Sequence, residues 1–273
     1  MSVPRVAAIV VTYRTGPRLM ECLYALTANA GIHEIIIVDN GNPDHVTKWL
    51  EAFAARFPQV AYMQTGENLG FGRAVNRGAA QSKASQLLVL NPDCVLRPDA
   101  LAPLQAAAEG LPAPWMVGGR IFDIKGKAQR GPQRRELTLI RALSKMVGGT
   151  GINMPLEPQP AGPIRVDVTS GALFLMDKAG FDGLGGFDEG YFLHVEDIDL
   201  CKRVHEAGGT VMYQPQAGGL HFGATSDVST AFVARHKAAG FARYFRKFAK
   251  NPLHRLMVEL CVPFIYWGLR FRR

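Results

Sequence analysis

The chain has 273 residues, of which 48% are hydrophobic and 20% are charged, a balance that excludes a disordered or low-complexity protein. This length fits one large α/β domain, or a domain of about 220 residues with an appendage. The formal charge of +8 lies mostly at the C-terminus, where ten basic residues after His221 outnumber two acidic ones. Such an excess attracts phosphates, either of nucleic acid or of anionic lipid.

Predicted strands and helices alternate through the first half of the chain. Continuous apolar, β-branched runs predict buried strands, and apolar residues at helical spacing predict helices. In chain order the predicted elements are strand 6–11, helix 17–28, strand 34–38, helix 44–57, strand 60–63, helix 72–82, strand 87–90 and helix 99–109. This alternation predicts a mostly parallel sheet with right-handed crossovers.

The second half is less regular. Residues 124–165 carry Gly, Pro and Arg with weak periodicity, which is typical of a functional loop or insertion. The elements predicted after it are strand 172–176, a glycine-rich turn at 183–186, helix 196–207 and strand 210–213. Residues 228–273 are predicted to form a helical tail, which leaves one α/β domain at 1–227, divided near residue 123.

Acidic residues stand where predicted strands end or helices begin. Asp39 closes the second strand, Asp93 follows the fourth, and Glu196 and Asp197 open the helix at 196–207. Ligands of open α/β sheets bind at the carboxyl ends of the strands. One carboxylate can face a nucleotide, one a metal, and one a hydroxyl to be deprotonated. The pattern therefore suits transfer of a group from a metal-chelated nucleotide.

Two of these groups also have structural explanations. The segment Asn91-Pro92-Asp93 consists of turn-forming residues, and acids at 196–197 suit the positive end of a helix dipole. Asp199 and Arg203 then form an exposed pair one helical turn apart. However, the apolar run Tyr191-Phe192-Leu193 supplies a pocket wall before the two acids. A partly desolvated carboxylate there has a raised pKa suited to a general base.

Two further features leave alternatives open. His221 lies among glycines after a predicted strand, and it is either structural or a metal ligand with Asp93. The pattern Gly70-Phe71-Gly72-Arg73-Ala74-Val75 is similar to a dinucleotide fingerprint, but Val75 replaces its third glycine. It also follows the third strand rather than the first, which disfavours a nicotinamide enzyme.

Eight short segments, in order over residues 6–226, together resemble the family-2 glycosyltransferases, specifically their bacterial rhamnosyltransferase-like branch. The segments are Val11-Thr12-Tyr13, Ile37-Val38-Asp39-Asn40, Glu67-Asn68-Leu69-Gly70-Phe71-Gly72 with Asn76-Arg77-Gly78, Leu90-Asn91-Pro92-Asp93, Thr169-Ser170-Gly171-Ala172, Gly185-Gly186-Phe187-Asp188-Glu189, Glu196-Asp197-Ile198-Asp199-Leu200 and Leu220-His221-Phe222-Gly223. The chain departs from the family pattern at Asn91, where the family's Asp-X-Asp motif has its first carboxylate, and at Arg14, where Asn is more usual.

The resemblance implies a GT-A fold with a Rossmann-like nucleotide-binding half, and inverting transfer from a nucleotide-diphosphate sugar. It implies that Asp39 accepts a hydrogen bond from a pyrimidine N3–H group and that Asp197 is the general base. It implies Mg²⁺ or Mn²⁺ as cofactor, bound by Asp93 and His221. The implied nucleotide-sugar site comprises Thr12, Tyr13, Asp39, Asn68, Gly70, Arg73, Asn91, Gly171 and Glu196.

The resemblance also implies substrates. The expected donor is dTDP-rhamnose or a UDP-sugar, and the expected acceptor is a polyprenyl-linked or glycan chain in cell-envelope glycan assembly. The alternative is a catalytically silent protein that binds sugar nucleotides on the same fold, which the missing first carboxylate supports. A nucleotidyltransferase is disfavoured. A sequence that resembles those enzymes has a glycine-rich, Lys-containing loop near the N-terminus, and this chain has Thr12-Tyr13-Arg14-Thr15 at that place.

The C-terminal tail and the cysteines predict where the protein works. Residues 256–269 are too few for a spanning helix, which needs roughly 18 apolar residues. Their basic flanks and terminal aromatics predict an interfacial anchor, or else a helix docked on its own domain or on a partner subunit in a homodimer. Nucleic-acid binding is disfavoured because the tail's aromatics have helical spacing.

Four dispersed cysteines without a Cys-x-x-Cys pair argue against zinc and favour a reducing cytoplasm. The first apolar run, at residues 6–11, is too short for a signal peptide. We therefore expect a cytoplasmic protein that binds peripherally to the inner face of the membrane.

Overall fold

The computed structural model describes residues 4–146, 148–155, 157–223 and 228–270. The strands in these ranges are β1 (Val6–Thr12), β2 (Ile32–Asp39), β3 (Val60–Gln64), β4 (Gln86–Leu90), β5 (Cys94–Leu96), β6 (Trp115–Phe122), β7 (Ile164–Arg165), β8 (Leu173–Asp177) and β9 (Thr210–His221). The helices in the same ranges are α1 (Arg18–Thr27), α2 (Asp44–Arg56), α3 (Phe71–Gln81), α4 (Leu101–Ala108), α5 (Leu139–Met146), α6 (Lys178–Gly183), α7 (Glu196–Glu206), α8 (Thr230–Lys247) and α9 (Pro252–Arg270).

The strands form one sheet in the order β3-β2-β1-β4-β8-β6-β9-β5, with β7 paired to β9. Strands β1 to β4 are parallel to their neighbours in the first half of the sheet. Strand β8 reverses direction, and β6 and β9 return to the original one. Strands β5 and β7 run antiparallel to β9. Most of the described strands therefore run the same way, which confirms the predicted mostly parallel sheet.

The continuous apolar run of β1 reflects burial on both faces of the sheet. Ala7, Ile9 and Val11 belong to one buried cluster, which also includes core residues of α3 and α7. The intervening residues Val6, Ala8 and Val10 belong to a second cluster on the opposite face, with core residues of α1, α2 and α4. Because successive side chains of a strand alternate between faces, both faces need apolar residues.

Sequence reasoning missed β5, β6, β7, α5 and α6, and it ended β9 at residue 213. Glycines interrupt the apolar pattern of β6, and close packing accounts for one of them. A Cβ atom on Gly118 would lie 1.7 Å from the hydroxyl oxygen of Thr169, so no larger residue fits there. Strand β9 continues through Pro215 because its register against β6 shifts between Gly119 and Arg120. The predicted turn at 183–186 follows α6, with positive φ at Gly185 and Gly186.

The C-terminal tail is helical, as predicted, and its helices pack on the sheet domain. The buried cluster that contains Ile9 of β1 also contains Tyr244 and Phe245 of α8 and Val258 and Ile265 of α9. The predicted boundary between residues 227 and 228 borders a segment, 224–227, that lies outside the described residues, as do 271–273. No helix in the described ranges combines the length and apolar character that crossing a bilayer requires.

An ionic cluster also joins α8 to the domain. The Lys247 ammonium lies 2.7 Å from carboxylate oxygens of both Asp188 and Asp199. Asp199 also accepts a hydrogen bond from Arg203, and its side chain is inaccessible to solvent. The expectation of an exposed Asp199–Arg203 pair was therefore wrong, because α8 covers that face of α7.

Candidate active site

Asp39, at the carboxyl end of β2, is buried and receives five hydrogen bonds. One carboxylate oxygen accepts from the backbone N–H groups of Gly41 and Asn42 and from the Asn42 amide, at 2.8 to 3.1 Å. The other accepts from the hydroxyls of Thr47 and Tyr62, at 2.7 and 2.8 Å. Burial alone would raise the pKa of Asp39, but these donors outweigh it and lower the pKa. Since a carboxylate offers about four acceptor sites, a pyrimidine N3–H must displace one donor to bind there.

The loop before α3 is fixed against the second half of the chain. The Asn68 side-chain oxygen accepts from the Asn40 amide and from the Gly70 N–H group, both at 3.0 Å. Gly70 has a φ of +83°, and a Cβ atom there would lie 2.4 Å from the carbonyl oxygen of Phe192. That oxygen accepts from the Phe71 N–H group at 3.1 Å. Glycine is therefore required at position 70, where the two halves of the chain meet.

Three further residues of the predicted nucleotide-sugar site lie in two places. Thr12 is buried at the end of β1, opposite Asp39 in the parallel register. Tyr13 follows it, with the Arg14 guanidinium 5.4 Å from its ring centroid. Arg73 instead donates to the carbonyl oxygen of Glu189, at 2.9 Å from Nε, and its contact with a nucleotide stays a prediction.

The register of the sheet brings Asp93 and His221 together. Cys94 of β5 pairs with His221 of β9, so Asp93 lies beside the imidazole, with Oδ1 3.4 Å from Nε2. The other ring nitrogen, Nδ1, lies 2.8 Å from the Gln129 side-chain oxygen, and the Gln129 amide donates to the His221 carbonyl. Because that oxygen only accepts, Nδ1 carries the proton. In a neutral imidazole Nε2 then accepts from the Asn91 amide, 3.2 Å away, and its lone pair lies on the side of the ring that faces Asp93.

This arrangement fits a divalent cation for which the protein supplies only some of the ligands. A carboxylate oxygen and an imidazole nitrogen converge, and the far side of the imidazole is oriented by a hydrogen bond, as in metal sites. Within the described ranges no three His, Cys, Asp or Glu side chains cluster as a metal centre. A cation here must therefore complete its coordination with substrate oxygens, as Mg²⁺ and related ions do on diphosphates.

Asp197, in the first turn of α7, is held by a salt bridge that the sequence did not predict. Its Oδ2 atom accepts from the Arg134 guanidinium at 2.7 Å and from the Gly171 N–H group at 3.2 Å. Burial raises the pKa of Asp197, but the charge and hydrogen bond of Arg134 outweigh burial, and the pKa is lowered. Asp197 is therefore ionised at neutral pH.

The raised pKa expected at this position belongs to the neighbouring Glu196. Burial and, second, the charge of Asp197 raise the pKa of Glu196 above that of an ordinary glutamate. Its Oε2 atom is buried and has no hydrogen-bond partner in the part of the chain that the structure describes. The expectation that the general base has a raised pKa was wrong for Asp197, because the Arg134 guanidinium beside it lowers its pKa.

A strained turn leads into α7. His194 and Val195 both have positive φ, 65° and 77°, which is costly for a β-branched residue such as valine. Gly240 of α8 packs directly on this turn. A Cβ atom there would lie 2.9 Å from the His194 carbonyl oxygen and 3.1 Å from a Val195 methyl group. The C-terminal helices therefore help to hold the backbone that presents Asp197.

Two hydrogen bonds connect the Asp93 side of the site to Asp197. The Asn91 N–H group donates to the Ala172 carbonyl oxygen at 3.0 Å. The preceding residue, Gly171, donates its N–H group to Asp197. The Asp93–His221 pair and an ionised carboxylate are thus linked by hydrogen bonds, an arrangement able to hold a cation beside a leaving diphosphate and to accept a proton.

Sequence reasoning missed two residues of this site. Arg134 lies in the segment 124–165, whose basic character was visible, but nothing in that segment singles out one arginine. Gln129 gives no sequence signal, because it acts through a tertiary hydrogen bond to His221.

Comparison with known proteins identifies relatives among sugar-transferring enzymes. The profile of "Glycosyl transferase family 2" matches residues 7–175. An N-acetylglucosaminyl-diphospho-decaprenol L-rhamnosyltransferase of Mycobacterium tuberculosis is 33% identical over 258 residues, covering 84% of this chain and 81% of its own length. Rhamnosyltransferase WbbL of Escherichia coli is 26% identical over 223 residues, covering 78% of this chain and 82% of its own length.

Solved structures share the fold. GalNAc-T7, crystallised with UDP, GalNAc and Mn²⁺, superposes with a TM-score of 0.68 at 16% identity over 94% of this chain. The chain spans 54% of the length of GalNAc-T7. Mannosyltransferase PcManGT of Pyrobaculum calidifontis, in complex with GDP-Man and Mn²⁺, superposes with a TM-score of 0.64 at 16% identity, covering 97% of this chain and 73% of its own. These likenesses confirm the predicted GT-A-type fold.

Proposed function

The chain belongs to glycosyl transferase family 2, and on that premise we propose that it transfers a sugar, with inversion, from a nucleotide diphosphate to a lipid-linked acceptor in cell-envelope glycan assembly. Rhamnose from dTDP-rhamnose is the favoured donor sugar, because the two relatives described above are named rhamnosyltransferases. The observation that carries the proposal is the pairing of Asp93 and His221, linked through residues 91, 171 and 172 to an ionised Asp197.

The reaction requires one proton acceptor and one stabilised leaving group. The acceptor hydroxyl oxygen attacks the anomeric carbon while its proton passes to a carboxylate oxygen of Asp197. The bond from that carbon to the diphosphate oxygen breaks, and the diphosphate leaves with the electron pair. Attack opposite the leaving group inverts the anomeric centre. The Arg134 guanidinium supports this role by keeping Asp197 ionised before the transfer.

The diphosphate is proposed to lie at the Asp93 side of the site. Asp93 and His221 would hold Mg²⁺ or Mn²⁺ together with diphosphate oxygens. When bound, the cation supplies positive charge that offsets the charge developing on the leaving group. Gln129 contributes by holding the tautomer of His221 in which Nε2 can bind the cation.

The outer face of α9 supports a place on the membrane surface. Large apolar side chains at helical spacing are exposed along it, namely Leu253, Leu256, Met257, Leu260, Phe264 and Trp267. We propose that this apolar face lies in the interface of the cytoplasmic leaflet. Replacing Leu256, Leu260 and Phe264 by serine should abolish flotation with anionic vesicles and leave the unfolding temperature within about 2 °C, since exposed substitutions cost little. Unchanged flotation would contradict this placement.

A donor screen followed by a transfer assay tests the proposed function. Thermal unfolding is measured with dTDP, UDP or GDP, each with and without Mn²⁺, for the native enzyme and for Asp93→Asn. We expect one pyrimidine diphosphate to stabilise the native enzyme only with Mn²⁺, and this effect to be absent from Asp93→Asn. Asp99→Asn, which changes an exposed aspartate paired with Arg97, is the matched control.

Transfer is then measured with the matching nucleotide sugar and a polyprenyl-diphosphate sugar as acceptor. The anomeric configuration of the product, determined by NMR, reports inversion. Metal-dependent binding without transfer would replace the proposal with a catalytically silent nucleotide-binding protein. Absence of nucleotide binding would refute the donor site itself.

A further inference from the structure

A groove extends from Asp197 between the C-terminal helices and α5. A cavity of about 290 Å³ lies against Asp197, and its polar lining includes Arg134, Asn153 and Ser170. A second cavity of about 280 Å³ lies between α5, α8 and α9. The two cavities share four lining residues, Ile152, Asn153, Lys237 and Phe241. The two cavities therefore adjoin at these residues, and we call them together the α8 groove.

The chemistry of the α8 groove changes from polar to apolar with distance from Asp197. The second cavity is lined by apolar side chains that include Leu137, Phe245 and Ile265. Lys237 lies where the cavities join, and Arg141 and Lys145 of α5 line the apolar part. Apart from Asp197, no acidic residue occurs among the described side chains that line either cavity. An elongated ligand with a neutral polar head, a negative centre and an apolar chain matches this order.

The groove also adjoins the apolar face proposed to meet the membrane. Ile265 lines the groove on the buried side of α9, while Leu260 and Phe264 are more than 60% exposed on its outer side. Ile140 of α5, at the other wall, is 81% exposed. A lipid chain leaving the groove therefore meets further apolar surface. The volume of the second cavity is that of a small-ligand pocket, so it accommodates only the first part of a long chain.

We propose that the α8 groove binds the polyprenyl-diphosphate part of the acceptor. The acceptor sugar would lie against Asp197, the diphosphate near Lys237, and the first isoprene units between Phe245 and Ile265. This inference rests on the proposed function, because it assigns the acceptor side of the same reaction. Specificity for a lipid-linked acceptor would then come from helices of the C-terminal tail.

Steady-state kinetics with two acceptors test the chain-binding part of the groove. Both acceptors carry the same sugar diphosphate, one on a long isoprenoid chain in detergent and one on a short, water-soluble alkyl chain. Ala142→Phe places a ring in the apolar cavity, which Ala142 lines. We expect KM for the long-chain acceptor to rise at least tenfold, while KM for the short-chain acceptor and for the donor stays within twofold. Ala52→Phe, on the exposed face of α2, is the matched control.

Two basic residues of α8, replaced one at a time, test the diphosphate-binding part of the groove. Lys237→Gln should raise KM for both acceptors at least tenfold without changing donor KM, because both acceptors carry the diphosphate. Arg235→Gln removes an exposed charge two residues away and should leave all three constants unchanged. Nucleotide-induced thermal shifts equal to those of the native enzyme show that each variant is folded.

The possible results separate the two proposals. If the native enzyme transfers sugar to neither acceptor, the proposed function fails. If it transfers sugar but Ala142→Phe changes neither KM, or changes both equally, the groove does not bind the lipid chain. If Ala142→Phe instead dissociates a dimer observed by sedimentation, the groove is a subunit interface and the inference is overturned.

Discussion

Replacing Arg134 tests how the protein keeps its proposed general base ionised. For two charges 2.7 Å apart, Coulomb's law with an effective dielectric constant of about 20 gives roughly 6 kcal/mol. Desolvation of both groups offsets part of this energy. An arginine beside an aspartate lowers its pKa by about 1–3 units, equivalent to about 1.4–4 kcal/mol. In Arg134→Gln the burial of Asp197 remains and raises its pKa, and only the N–H groups of Gly171 and Ile198 still lower it.

We therefore expect the acidic limb of the kcat/KM profile to move up by about 1–3 pH units in Arg134→Gln. Arg134→Lys, which retains a cation, should restore most of the native profile. Arg135→Gln is the matched control, since Arg135 is the exposed neighbour of Arg134 in the chain. Initial rates of transfer are measured at about ten pH values between pH 4 and pH 9, and the stability of the protein is checked at each. An acidic limb that stays in place in Arg134→Gln would refute either the base role of Asp197 or its control by Arg134.

Three further predictions concern other parts of the site. Gln129→Leu should weaken Mn²⁺ binding in the presence of nucleotide about 10–100-fold by titration calorimetry, and an unchanged Kd would show that His221 needs no orienting partner. Glu196 has a raised pKa in the folded protein, so the native stability falls as pH rises from the ordinary glutamate value toward the folded pKa. Glu196→Gln cannot ionise, and its stability relative to the native enzyme should increase by about 1.4 kcal/mol per pH unit in that window, measured by urea unfolding. An equal difference at pH 5 and pH 8 would contradict the raised pKa. Gly70→Ala should destabilise the protein by at least about 2 kcal/mol, because a positive φ and a backbone clash combine. Gly16→Ala has the positive φ without the clash and should cost less; equal losses would show that the contact with Phe192 is unimportant.

The first half of the fold could be predicted from local patterns because each element there carries its own signal. Strands buried on both faces are continuous apolar runs, and helices between them are amphipathic. Strand β6 lacked such a signal, since Gly118 is fixed by its contact with Thr169 rather than by strand propensity. Strand β9 was predicted too short because its outer half pairs beyond a register shift. These features depend on tertiary neighbours that a linear pattern does not contain.

The candidate site shows the same division. The placement of Asp39 at the end of β2 and of Asp93 shortly after β4 could be predicted, because strand ends define the ligand edge of the sheet. The protonation behaviour of Asp197 could not, because it is set by Arg134, which lies 63 positions away in an irregular segment. The raised pKa was assigned to the correct pair of acids but to the wrong member. The pKa of a carboxyl group depends on the residues packed around it, whereas its position at a strand end can be inferred from the local motif.

The position of Asp93 and His221 on two strands has a mechanical consequence. Asp93 adjoins β5, a three-residue strand at the end of the sheet order, and His221 ends the neighbouring β9. A cation held by both residues cross-links the terminal strand to the rest of the sheet and closes a loop containing nearly half of the chain. Such closure restricts the opened states of that edge. Amide hydrogens of residues 94–96 should therefore exchange more slowly when nucleotide and metal are bound. The exchange rate of this edge strand then reports whether the donor site is occupied.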